Sequence, residues 1–241
     1  MAPVGLSTGA LFSSNLSLQE RLNLYHGVGS QGVEIMLATR DEAYRCTLSE
    51  ELEKSVCRFA PVTIHAPMIG LRYNNDDDTK ALLWHLGDLC KYLPIVGIVV
   101  HPDLVDDFTV LEKSGLPILI ENMDRRKTCY TKPGDIERLA KDYNFGFCMD
   151  VQHIWEHDPS MVMADDMRAA MGDRLRQMHV SGCTATEIHY PTFLAENKDA
   201  IVKVLEKRIT VPKVLEGLIT KEPDRLKAAR EELAFVRQYE S

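Results

Sequence analysis

Short, uninterrupted apolar runs alternate with longer stretches of mixed polarity along almost the whole chain. The runs fall at 4–7, 32–36, 62–65, 97–101, 118–121, 146–150, 176–180 and 213–216. An apolar run this short, without polar alternation, marks a strand buried on both faces, as in a parallel sheet covered by helices. The gaps carry helix signals. Ser17 and Glu20 form a capping-box pattern that opens the first helix. Stretches 49–59, 78–92, 134–143, 161–174, 197–208 and 222–239 supply six more, and only 105–113 is short. Eight such units in 241 residues predict one closed (β/α)8 TIM barrel, a single domain over 1–241, because this architecture typically takes about 250 residues. No GxGxxG or GxxxxGK[ST] loop follows any run, which weighs against an open doubly wound sheet.

The runs end on acids and histidines. His65 closes VTIH, His101 closes GIVVH, Glu121 closes ILIE, Asp150 closes GFCMD, His179 lies in RQMHV and Glu216 closes KVLE. In a closed barrel the C-terminal ends of the strands share one rim, and active sites are built there. A single charged strand end is usually an ion pair or a helix cap, and a single histidine is usually a hydrogen-bonded core residue. Glu121, Asp150, His179 and Glu216, from four successive strands, outweigh that reading and predict a divalent-metal site. Mixed carboxylate and imidazole donors suit Zn²⁺, Mn²⁺ or Fe²⁺ better than Ca²⁺. His65 and His101 would add two imidazoles. Asp150 and His153 are three residues apart at a strand exit and would serve neighbouring ions, or His153 would touch substrate.

Glu187-Ile-His189 follows the seventh strand. In extended backbone its acid and histidine would point the same way, both to the pocket as ligands or both to solvent. Glu34, inside GVEIM, would face the pocket to orient substrate or a histidine, or would pair with a lysine in the interior. Arg40, Arg72, Arg125, Arg126 and Lys127 lie in polar segments between the elements, as phosphate grips or as ordinary surface charge. His26 and His85 read as helix-surface residues, and His157 carries no assigned role.

Net charge is −8, which argues against non-specific nucleic-acid binding without excluding a local basic rim. The six cysteines form no CxxC pair and read as reduced thiols of a cytoplasmic protein. No stretch of about 18 uncharged apolar residues predicts a membrane span. The opening MAPVGLSTGALF lacks a basic segment and reads as a first strand, not a signal peptide.

In order, HAP, HPD, EN, DVQH, HVSG and a late LEG resemble the xylose-isomerase-like TIM-barrel superfamily over nearly the whole chain. That superfamily holds the type IV AP endonucleases, DNA-repair enzymes with three zinc ions. It also holds sugar isomerases and epimerases that use one Mn²⁺, Mg²⁺ or similar ion. By resemblance to the nucleases, His65 and His101 bind one zinc and Glu121 bridges two ions. Asp150, His179 and Glu216 bind the second ion, and His153 with Glu187 and His189 the third. The sequence departs from that pattern in having a Glu–His pair where the nucleases have Asp–His, closer to His179, and in lacking clear DNA-inserting loops. The resemblance implies either phosphoester hydrolysis or isomerisation of a hydroxy-carbonyl compound. In hydrolysis Glu121 would position a hydroxide. In isomerisation Glu121 and Glu216 would trade a proton as base and acid. The hydrolase on zinc is the favoured expectation, with a small phosphorylated compound or damaged DNA as partner. The isomerase on one Mn²⁺, Mg²⁺, Fe²⁺ or Co²⁺, with a sugar substrate, is the alternative. A barrel that keeps its ligands without catalysis is a third.

Overall fold

The computed structural model describes residues 1–240. Strand β1 (Val4–Ser7) leads through a 3-10 turn (Thr8–Leu11) to α1 (Leu18–Gly27). Then come β2 (Val33–Met36), α2 (Arg40–Arg45), α3 (Glu50–Val56), β3 (Val62–His65), α4 (Asp77–Tyr92), β4 (Ile95–Val100) and α5 (Phe108–Lys113). The second half begins with β5 (Ile118–Glu121), α6 (Pro133–Asp142), β6 (Gly146–Asp150), α7 (Val151–His157), α8 (Val162–Met171) and β7 (Leu175–Val180). A small hairpin of β8 (Gly182–Cys183) and β9 (Ile188–Tyr190) precedes α9 (Lys198–Leu205), β10 (Lys213–Leu215) and α10 (Arg225–Arg237).

The barrel closes in the order β1-β10-β7-β6-β5-β4-β3-β2, with every neighbouring pair parallel. This is the (β/α)8 architecture expected from the apolar runs. Most strand positions are buried because helices cover the outside and side chains fill the inside. On α4, Leu82, Leu86 and Leu89 recur at helical spacing and are buried against the sheet. The main core lies between strands and helices. A smaller apolar cluster of Val99, Leu119 and Cys148 comes from β4, β5 and β6. On the β1, β2, β3 and β7 side, Ser7, Glu34, Thr63 and Gln177 are buried together in a hydrogen-bonded group.

Local differences from the expected elements have physical causes. The 161–174 stretch breaks at Gly172, whose φ of 48° ends α8 and turns the chain into a short 3-10 segment. Two short helices have no counterpart in the sequence pattern. Helix α2 starts at a capping box made by Thr39 and Glu42. Helix α7 begins directly at the end of β6, with Asp150 as its N-cap accepting from His153 N. His153 therefore sits one turn into a helix, not in a loop. The antiparallel β8–β9 hairpin is likewise an addition to the expected elements. Among the described residues, no helix is long and apolar enough to cross a membrane.

Candidate metal centre

Parallel register brings the strand ends to one level. Asp150 pairs with His179 across β6–β7, Val214 pairs with His179 across β10–β7, and Met36 pairs with His65 across β2–β3. Glu121, at the end of β5, lies at the centre and is almost fully buried. Its Oε1 is 3.2 Å from His179 Nδ1, and its Oε2 is 3.2 Å from His101 Nε2 and 3.5 Å from His65 Nε2. Glu216 Oε2 lies 3.3 Å from the same His179 Nδ1. Two donor groups result: His65, His101 and Glu121, and Glu121, Asp150, His179 and Glu216. Within each, the ligand atoms lie within 4.8 Å of one another, and Glu121 belongs to both. His101 and Glu216 stand one residue past their strands, where the chain leaves the barrel.

The donors fit a divalent cation. His65 Nδ1 lies 3.0 Å from Ala66 O, and His153 Nδ1 lies 2.9 Å from Asn122 O. Donation to those carbonyls leaves each Nε2 lone pair free. His179 is turned the other way: its Nε2 meets Glu34 Oε2 at 3.0 Å while Nδ1 faces the carboxylates. An outer partner that fixes the tautomer and aim of an imidazole is the usual support of a metal-ligating histidine. Asp150 Oδ2 is buried with no hydrogen-bond partner, and Glu121 Oε2 is buried facing only the imidazoles of His65 and His101. Buried carboxylate oxygens left in this way call for a positive charge.

Electrostatics agree. Burial raises Glu216 to about 8, with Glu34, Glu121 and Asp150 adding to the rise against the opposing pull of His179. Burial likewise raises Asp150 to about 6, helped by Glu121 and opposed by His153.

The supports are specific. Asn122 clamps β5 to β6, donating from Nδ2 to Asp150 O at 2.9 Å and accepting from Asp150 N at 2.8 Å. Gly217 lets the β10 exit approach the hairpin. A Cβ there would lie 2.6 Å from Pro191 Cα. That approach seats His189 beside Glu216, with Nδ1 3.9 Å from Glu216 Oε2 and 3.1 Å from Ser181 Oγ. The rings of His189 and His153 lie 5.4 Å apart, edge to face.

Two expected positions are corrected. Glu187 does not accompany His189. Its carboxylate pairs with Lys221 at 2.5 Å, because His189 has a φ of 51° and strand alternation does not carry through it. Arg125 is largely exposed, with Nε 3.9 Å from Glu156, and does not line the pocket. Of the alternatives for Glu34 the structure shows the histidine: it lies beneath the pocket, fully buried, and holds His179, not a lysine. Arg126 does reach the pocket. It grips Asp124 through N, Nε and Nη2 at 2.7, 3.0 and 2.6 Å. Arg40, Arg72 and Lys127 are held by Asp78, Asp106 and Asp103. Of the histidines left aside, His26 is exposed, whereas His85 and His157 are half-buried and contact Ala43 O and Met123 O.

Sequence reasoning missed Asp124, Gln177, Ser181 and the apolar lining of Phe12, Met36, Met68, Ile69 and Leu218. Of these, only Asp124 carried a signal, two residues ahead of Arg126 in ENMDRR. The pocket above the donors has a volume of about 260 Å³.

No known family model matches the chain, and no curated protein matches its sequence. Solved structures match its fold. An endonuclease IV from Thermus thermophilus superposes with a TM-score of 0.73 at 14% identity, covering 98% of each chain. A probable 3-DHS dehydratase, AsbF, involved in petrobactin synthesis in Bacillus anthracis, gives 0.72 at 13% identity, covering 98% of this chain and 99% of that one. A D-tagatose 3-epimerase-like protein gives 0.70 at 16% identity, covering 98% and 96%. Identities this low speak for the fold and not for an activity. The chain shares the closed (β/α)8 fold of these structures over nearly its whole length.

Proposed function

We propose that this protein is a metal-dependent hydrolase of small phosphoesters that holds two divalent ions, with Zn²⁺ the first choice. The observation that carries the reading is the division of Glu121. One oxygen faces His179, the other faces His65 and His101, and each side forms its own donor group. A carboxylate divided in this way suits a bridge between two ions. His65, His101 and Glu121 would hold one ion, and Glu121, Asp150, His179 and Glu216 the other. Such a pair would supply positive charge against a phosphoryl group and acidify a nearby water.

The chain's own groups do the rest. Arg126, fixed by Asp124, leaves its Nη1 free to grip a phosphoryl oxygen. His153, with Nδ1 committed to Asn122, presents Nε2 to the pocket. His189, half-buried beside Glu216, is kept neutral because burial and the charge of His153 lower it to about 3, and it can hydrogen-bond a phosphoryl oxygen. The endonuclease IV among the structural neighbours is named for cleavage of nucleic acid, so phosphoester cleavage is one reaction this fold accommodates. With Glu187 turned away, His153 and His189 belong to neither donor group found among the described residues, so two ions are proposed in place of the three of the nuclease pattern.

That same withdrawal favours a second reading, isomerisation or epimerisation of a hydroxy-carbonyl compound on one ion. Glu121 and Glu216 both reach His179 Nδ1 and would exchange a proton as base and acid. Several neighbours are named as ketose epimerases, one of them solved with D-allulose. Elemental mass spectrometry on tag-free, chelator-free protein separates the two. Two ions per chain, with hydrolysis of aryl phosphoesters lost in Glu121→Gln, is expected. Damaged DNA joins the panel as an alternative phosphoester. One ion per chain, with turnover of ketoses and none of phosphoesters, moves the assignment to the isomerase. A chain that takes up no metal overturns both.

A further inference from the structure

The pocket above the donors has two unlike walls. His101, Asp124, Arg126, His153 and His189, from the exits of β4 to β7, make one side polar. Phe12, Met36, Met68, Ile69 and Leu218, from the exits of β1, β2, β3 and β10, make the other side apolar. Phe12 and Ile69 are 45% and 49% exposed, so this wall is open to an incoming ligand.

The apolar side also offers no free backbone donor. Phe12 N donates to Gly9 O at 2.8 Å, and Met68 N and Ile69 N both donate to Ala38 O at 3.0 Å. Met36 N donates to Thr8 Oγ1 at 2.8 Å, and Leu218 N donates to His189 O at 2.6 Å. A polyhydroxylated chain laid along this wall would exchange water for side chains that cannot hydrogen-bond and backbone N–H groups that are already used. Each hydroxyl so desolvated costs free energy, whereas each methylene gains it.

We infer that the substrate carries an apolar group on the side away from Arg126, with its oxygens gathered at the Glu121 end. It is a small acid, ester or hydroxy-carbonyl compound with an alkyl or aryl flank, not a free sugar. This rests on the metal reading above but not on the choice between hydrolysis and isomerisation. It differs from the sugars named for the neighbouring epimerases.

A matched pair of metal-chelating probes tests it: butanohydroxamate and 2,3,4-trihydroxybutanohydroxamate, which share a carbon skeleton and differ by three hydroxyls. Metal-replete protein, its metal content measured first, is titrated with each by calorimetry. Butanohydroxamate is expected to bind about tenfold tighter or more, from three apolar carbons buried on the wall. Ile69→Asn and Phe12→Ser, both at partly exposed positions, are expected to shrink that ratio to about twofold with metal content unchanged. Equal or tighter binding of the trihydroxy probe overturns the inference and leaves the metal reading standing. So does a ratio that both variants leave unmoved. Binding of neither probe to metal-replete protein overturns the inference together with the reading it rests on.

Discussion

Glu34 on β2 and His179 on β7 meet beneath the pocket, Oε2 to Nε2 at 3.0 Å, and neither has any exposure to solvent. Glu34 also accepts from Gln177 Nε2 at 2.7 Å, Thr63 Oγ1 at 3.2 Å and Ser7 Oγ at 3.3 Å. A buried carboxylate so surrounded stays charged. Burial opposes its ionisation, but the charge and hydrogen bonds of His179, with Gln177, outweigh it and hold its pKa below the usual range. With a cation against Nδ1, the proton of His179 resides on Nε2 and is donated to Glu34. Glu34 would thus position a candidate ligand without itself belonging to either donor group. Glu34→Gln should weaken metal binding by about 10–100-fold, the usual effect of losing an outer partner. Competition with a chelating dye would measure it. An unchanged affinity would show that His179 needs no partner to keep its aim.

The two donor groups should empty separately. His101→Ala is expected to bring metal content from two ions to one, and Asp150→Asn to empty the other group. Glu121→Gln, which touches both, should lose most of both. Elemental analysis after dialysis reads all three. A His101→Ala chain that keeps two ions would remove His101 from the ligands.

Glu187 gives the opposite expectation. Its carboxylate belongs to Lys221 at a partly exposed position, so Glu187→Ala should leave metal content and activity unchanged. Such a pair contributes only about 0–1 kcal/mol, and thermal unfolding should move little. Loss of an ion in this variant would mean that the hairpin turns inward when the site fills.

Metal binding should release protons. In the metal-free fold, burial raises Glu216 to about 8 and Asp150 to about 6, against ordinary values of 4.5 and 3.8. At His65 burial works downward, but the hydrogen bond and charge of Glu121 prevail and raise it to about 9. All three groups hold protons in the folded state that the unfolded chain gives up. His101 and His189 are lowered by burial and work the other way below about pH 6.5, so the stability of the metal-free protein falls as pH rises from about 6.5 to about 9. A cation replaces those protons, so its affinity rises over the same window. Calorimetry in buffers of different ionisation enthalpy should show proton release at pH 7, and chelated protein should melt lower at pH 8 than at pH 6. Metal binding without proton release would mean that the donors are already ionised.

The barrel and the identity of its donors are already written in the order of residues. Apolar runs without alternation suit strands covered on both faces, and eight of them at nearly even spacing close a sheet. Strand polarity then puts every residue that ends a run on one rim, which is why His65, Glu121, Asp150, His179 and Glu216 are legible with no coordinates. What these residues face depends on three dimensions. A two-residue spacing places Glu187 and His189 together only if the backbone stays extended, and one positive φ at His189 sends them apart. VQHIWEH is too short for periodicity to separate helix from loop, so the cap of α7 on Asp150 becomes visible only in the folded chain. GVEIM allows Glu34 to face the pocket, but Glu34 lies inside the barrel below the rim, and the depth of a strand residue depends on register across a closed sheet. The apolar wall leaves no trace in sequence at all. Phe12, Met36, Met68, Ile69 and Leu218 come from four separate strand exits, and only closure of the barrel makes them neighbours.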